Sequence, residues 1–207
     1  MANKDHSLDS KIIDAAKSEF LLHGFRNASL HKICQNAEIT TGALYTRYKN
    51  KDALFLSLVQ NFISEVSQNL GPIRDLYMEV QKDPSAEKLL SAIRTEEKIY
   101  LDLMFKHYDE CILFFCRSEG SSIEETIKAM MKSKACETVS YLKSISKNGT
   151  DLDGVEFLMS EQFHYYRQIL EKGYSKEKAV SCMETIMLFI EAGWKKIFNT
   201  ILENEED

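Results

Sequence analysis

Proline stands at only two positions of the 207, 72 and 84, and glycine at eight, so long stretches carry nothing that breaks a helix. Between Asp52 and Leu70 there is neither, and Phe55, Val59, Phe62, Val66 and Leu70 recur at intervals of 4, 3, 4 and 4. That spacing lays one apolar stripe along an α-helix. The fold class it implies is all-α, because a many-stranded sandwich would need far more turn residues. With 44% hydrophobic and 28% charged residues, the composition excludes disordered and collagen-like chains.

The longest apolar run, Cys111 to Cys116, is too short to cross a bilayer, and the polar opening Met1-Ala-Asn-Lys-Asp-His is not followed by a signal-peptide hydrophobic region. A cytoplasmic protein without membrane partners is therefore expected. Five cysteines (34, 111, 116, 136, 182) include no Cys-x-x-Cys pair and read as free, mostly buried thiols. The net charge of −6 argues against a protein that coats nucleic acid, but it is unevenly spread. Residues 1–53 hold eight basic and six acidic side chains, and the other 154 residues hold 18 and 26. A mildly basic head on an acidic body suits a local DNA-contacting module.

Within the head, Ile12, Ala16 and Phe20 stripe a first helix from about Asp9 to His23, which Gly24 is expected to cap. Ser29 is a good N-cap for a short helix, Leu30 to Asn36, with Ile33 and Ala37 inward. Thr40 caps a third helix to about Tyr48 with Leu44 buried, and Asn50 caps a long one that Gly71-Pro72 should end. Two short helices joined by a tight turn and backed by a first make a helix-turn-helix, whose second short helix enters the major groove. Its groove side would present Thr40, Thr41, Gly42, Ala43, Tyr45, Thr46 and Arg47. Small residues allow close approach, hydroxyls and the helix N-terminus reach phosphates, and Arg47 bonds guanine edges or phosphate. Lys49 and Lys51 suit backbone phosphates.

The pattern Ala15-Ala16-x-x-x-Phe20-x-x-x-Gly24-Phe25, Ser29-x-x-x-Ile33, Gly42-x-Leu44-Tyr45-x-x-Tyr48-x-Asn50-Lys51-x-x-Leu54 resembles the N-terminal domain of the tetracycline-repressor (TetR) family. The resemblance covers about a quarter of the chain, Lys11 to Val59. It implies an all-α homodimeric transcriptional regulator, usually a repressor, with a variable C-terminal domain that binds a small molecule. Carried over by position, Ser29, Leu30 and His31 open the helix that crosses the DNA backbone, Thr40 to Arg47 supply the recognition helix, and Lys51 adds a phosphate contact. Two departures stand out. Glu38 occupies a turn position usually held by Gly, where left-handed backbone costs about 1 kcal/mol, and Tyr48 stands where Phe is commoner.

The domains expected are a helix-turn-helix head over residues 1–52, joined through a helix over 51–70 to an effector-binding and dimerisation body over 53–207. In the body, helices are expected from Ser85 to about His107, from Asp109 to Arg117 (fully buried) and from Ser122, with Glu125 completing a capping box, to about Ser146. Two last helices carry stripes close to a 3.5-residue period: Met159, Phe163, Tyr166 and Leu170, then Met183, Met187, Ile190, Trp194, Ile197 and Ile201. Such an antiparallel pair suits a four-helix dimer interface; burial in the chain's own core is the other reading. Phe105, Tyr108, Cys111, Phe115, Met130, Phe163 and Tyr166 are the pocket candidates for an apolar or aromatic effector. His107 and Cys111, four apart, would face one way as metal ligands only on one unbroken helix, and a helix starting at Asp109 would part them. Cys111 and Cys116 lie some 140° apart around a helix and do not pair while it is intact. Metal- or redox-responsive regulation is thus an alternative, as is activation in place of repression. No phosphate-cradling Gly-rich loop, Gly-x-Ser-x-Gly or His-Glu-x-x-His is present, so neither an enzyme nor a cofactor is expected.

Overall fold

The computed structural model describes residues 6–147 and 149–203; the polar opening Met1–Asp5 and Asn148 of the loop near 147–154 lie outside the described residues. Among the described residues nine α-helices and no strand occur: α1 (His6–Asn27), α2 (Leu30–Asn36), α3 (Thr41–Arg47), α4 (Lys51–Lys82), α5 (Ala86–Lys106), α6 (Tyr108–Cys116), α7 (Ser122–Ile145), α8 (Asp153–Glu171) and α9 (Lys176–Leu202).

They fall into two units, one made of residues up to Ser64 with His107–Ile127, the other of Glu65–Lys106 with Lys128 onward. The division differs from the expected boundary near residue 52, because α6 and the start of α7 pack with the head. In the first unit Ile12, Ala16 and Phe20 of α1, Ile33 of α2, Leu44 of α3 and Leu54, Phe55, Val59 and Phe62 of α4 are buried together with Cys111 and Leu113 of α6. Phe20 meets Phe55 edge-on at 4.9 Å and Phe62 meets Phe114 at 5.5 Å, an arrangement that suits the ring quadrupoles. α6 is not fully buried: Ile112, Phe115 and Cys116 are only half-covered, since nine residues present one inward face. The cysteines likewise divide, with Cys34 and Cys111 buried, Cys116 and Cys182 intermediate and Cys136 exposed.

Gly24 kinks α1 rather than ending it. Its φ of 71° and ψ of 167° lie where essentially only glycine goes, and helix resumes to Asn27. The kink frees the Phe25 N–H to donate to the Arg117 carbonyl at 2.7 Å, while Arg117 Nε donates to the Leu21 carbonyl at 2.9 Å. At the start of α7 the capping box gives way to Asp52, whose carboxylate accepts from the Ser122 N–H at 2.8 Å and the hydroxyl at 2.6 Å.

Gly71-Pro72 does not end α4. Pro72 is exposed, so the hydrogen bond it denies the Gln68 carbonyl lies on the solvent side, where water substitutes. Buried Ile73 and Val80 extend the apolar stripe beyond it. The helix ends at Lys82, before Asp83-Pro84, where the residue ahead of proline avoids helical backbone.

The second unit is centred on Val80, Leu89, Ala92, Leu142, Val155, Met159, Trp194, Phe198 and Ile201. α9 runs closest to α5, with Arg94 paired to Glu191, and shares its core with α8 through Val155, Met159, Trp194, Phe198 and Ile201. The stripes singled out for dimerisation turn inward: Met159, Leu170, Met183, Met187, Trp194 and Ile201 are buried, and Phe163, Tyr166, Ile190 and Ile197 half-buried. The outward faces of α8 and α9 instead carry Phe157 at 75% exposure, Leu158, Leu188 at 73% and Phe189 at 76%.

The backbone at Gly24 yields a first test. Gly24→Ala leaves ordinary contacts, the nearest atom to an added Cβ being the Arg117 carbonyl oxygen at 3.7 Å. The cost is therefore backbone strain, on the order of 1–3 kcal/mol. Thermal unfolding should show a Tm lower by several degrees, and an unchanged Tm would contradict the assignment.

Candidate functional site

The helix-turn-helix is assembled by polar contacts that few other residue types could make. Ser29, in extended backbone, accepts the Lys32 N–H through Oγ at 3.4 Å, and its own N–H donates to the mostly buried Glu19 carboxylate at 2.9 Å. That bond hangs the start of α2 from α1. In the turn the Ala37 N–H donates to Ile33 and the Ile39 N–H to Cys34. Between them Glu38 has a φ of 57°, the only non-glycine with positive φ among the described residues. Its carboxylate is 2.9 Å from Lys11 Nζ, and that hydrogen bond holds its pKa below the ordinary carboxylate value. Thr40 Oγ1 then accepts the Ala43 N–H at 3.1 Å and starts α3.

With Leu44 buried, α3 turns Thr41, Gly42, Tyr45 and Thr46 to solvent, Tyr45 at 51% exposure, with Ala43 half-buried beside them. The chain itself makes no demand for glycine at 42, where an added Cβ would meet only Thr40 Oγ1 at 3.9 Å. The missing side chain leaves room for an outside surface to approach the backbone. His31 and Lys49 are exposed, while Leu30 and Tyr48 are half-buried.

Two expected contacts are turned inward. Arg47 donates from Nε to Asp9 Oδ1 at 2.6 Å and from Nη1 to the Ala43 carbonyl at 3.3 Å, with its side chain only 20% exposed. It braces α3 against α1 instead of reaching for bases. Lys51 donates to the Arg26 carbonyl at 3.2 Å and lies 5.0 Å over the Phe25 ring, and partial burial lowers its pKa. The ammonium closes the end of α1. Sequence reasoning passed over Lys32, Gln35 and Asn36, exposed on α2 opposite buried Ile33 and Cys34. The helical period places them beside His31, which was the available signal.

Residues 12–58 match the family model of bacterial regulatory proteins of the tetR family. The head of the chain, residues 12–58, is that of the TetR family of regulators. The chain is 24% identical over 137 residues to the HTH-type transcriptional regulator YdgC of Bacillus subtilis (strain 168), a match spanning 64% of this chain and 66%, just under two thirds, of that protein. Two crystal structures share the fold. A TetR-like regulator from Rhodococcus sp. RHA1 has a TM-score of 0.56 at 20% identity, over 90% of this chain and 96% of that one. A TetR family regulator from Chloroflexus aurantiacus J-10-FL has a TM-score of 0.58 at 14% identity, over 97% and 92%.

In the second unit, α4, α5, α7, α8 and α9 line a cavity of about 860 Å³. Of the expected pocket residues it holds Phe163 and Tyr166. Tyr108, Cys111 and Phe115 belong to the first unit, Phe105 does not line the cavity, and Met130 is exposed on α7. Aromatic residues of α4 and α9 line it instead, Tyr77 and Trp194 among them, and this part of α4 lies beyond the expected helix end. On the polar side Glu96 accepts from the Tyr77 hydroxyl at 2.5 Å and from Lys134. Burial and Glu96 raise the Tyr77 and Tyr100 hydroxyl pKa values, and burial raises that of Cys111.

His107 precedes α6 in non-helical backbone, with its ring 6.0 Å from Phe62, so it shares no helix face with Cys111. Among the described residues no group of three or more His, Cys, Asp and Glu is placed to hold a metal, and no helix is long and apolar enough to cross a membrane.

The bracing role of Arg47 makes a distinct demand. Asp9→Ala and Arg47→Ala should each lower stability, and the double variant should lose less than their sum by about 0.5–1 kcal/mol. Additive losses in denaturant titrations would show that the pair does not couple.

Proposed function

We propose that the protein binds a palindromic operator as a homodimer, reads it through α3, and releases it when a small molecule occupies the cavity of the second unit. The observation that carries the reading is the face Thr41-Gly42-Tyr45-Thr46, exposed on a helix whose cap, turn and buried Leu44 are all fixed. Tyr45 and the threonine hydroxyls suit base edges and phosphates, the α3 N-terminus favours phosphate, and His31, Lys32 and Lys49 suit the flanking backbone. Contact with DNA places the protein in the cytoplasm.

Dimerisation would use the outer faces of α8 and α9. Four large apolar side chains there, Phe157, Leu158, Leu188 and Phe189, stand out in water in the single chain, a liability that a partner surface removes. The inward stripes then form the protomer core, and the interface lies on the face opposite to the expected one. The effector would act through α4, whose first residues belong to the head and whose later ones line the cavity. A ligand that prefers one setting of α4 lowers DNA affinity by its differential affinity, commonly about 1–3 kcal/mol.

Two experiments test this. Selection of duplexes from a random library at physiological salt should enrich a two-fold symmetric sequence, and Tyr45→Ala should lose that enrichment; equal enrichment by the variant would remove α3 from the reading face. The double variant Leu188→Glu, Phe189→Glu should sediment as a folded monomer, whereas a dimer with both glutamates in place would exclude this face.

A further inference from the structure

The cavity holds an electrostatic imbalance that bears on what enters it, and the inference rests on its being the effector site. Glu96 is compensated by Lys134 and by the Tyr77 hydroxyl at 2.5 Å. At the exposed part of the lining, Arg74 and Glu137 supply one charge of each sign. Glu97 has no such compensation. Its Oε1 is the buried side-chain atom left without a hydrogen-bond partner among the described residues, and the nearby charges that act on it, Glu184 and Asp102, are also carboxylates. With Glu97 ionised the lining is anionic by one charge.

Around this carboxylate the lining is aromatic. Tyr100 and Tyr166 meet edge-on at 6.1 Å, and Phe163 and Trp194 also border the space. Lys134 Nζ already sits 5.9 Å from the Tyr100 ring centroid, so a cation over an aromatic face is a geometry this wall supports. An anionic ligand would meet Glu97 unpaired, and a neutral apolar one would leave its buried oxygen unsatisfied. We propose that the cavity takes an organic cation with an apolar or aromatic body, its positive charge set beside Glu97 and against the Tyr100–Tyr166 rings.

Tetraphenylphosphonium and tetraphenylborate, near-equal in size and shape and opposite in charge, provide the probes for calorimetric titration of the full chain. The cation should bind at least about tenfold more tightly than the anion at pH 7.5, and Glu97→Gln should erase most of that preference. Burial, with Glu184 and Asp102, raises the Glu97 pKa to about 6. Lowering the pH from 7.5 to 5 should therefore protonate Glu97 and weaken the cation in the unaltered chain but not in Glu97→Gln. Glu96 with Lys134, and Tyr166, also face this carboxylate region and remain in both proteins. A cation that does not bind, an anion that binds equally well, or a preference that survives Glu97→Gln would each overturn the proposal. Cation binding that leaves operator affinity unchanged would overturn the effector role and leave the ligand class standing.

Discussion

The longest helix, α4, serves both halves of this molecule. The first turns of α4 bury Leu54, Phe55, Val59 and Phe62 in the head, and its later turns bury Ile73 and Val80 and bring Tyr77 to the cavity wall. That continuity depends on Pro72 falling on the wet side of the helix, where the loss of one backbone donor is tolerated. A proline one residue later would replace buried Ile73 and place its ring in the packed face. α7 passes between the same two units at Ile127–Lys128 and also lines the cavity, so it is a second helical carrier of the link proposed here.

In the head, polar side chains set positions and apolar ones supply adhesion. Glu19 holds the start of α2, Lys51 closes the end of α1, Asp52 caps α7, and Arg47 braces α3. These charges are spent inside the protein and leave a reading face of small and hydroxyl-bearing residues. Glu38 keeps a left-handed backbone that glycine would adopt with less strain, and Lys11 draws its carboxylate into an ion pair on the same unit.

Much of this was legible in the sequence, and the exceptions have physical causes. Ser29, Thr40, Asn50 and Ser85 each cap the helix they were expected to begin, because an N-cap is a local device whose donor lies three residues on. The strained turn at Glu38 was implied by the family resemblance, in which glycine usually holds that position. Arg47 and Lys51 misled because a long cation reaches a carboxylate or carbonyl 38 or 25 residues away as readily as a phosphate. The α8 and α9 stripes showed which residues are covered, but periodicity alone does not say whether the chain's own core or a second copy covers them. Pocket residues were the least legible, since a cavity gathers side chains from five helices and one of its aromatic residues, Tyr77, lies on α4 beyond the proline taken as a helix end.

The most direct test of the whole account is a hydroxyl-radical footprint of the protein on a duplex it selects. A dimer reading through two copies of α3 should protect two stretches on one face of the DNA, with centres about one helical turn, roughly 34–36 Å, apart. A single protected stretch, or protection spread evenly along the duplex, would contradict it.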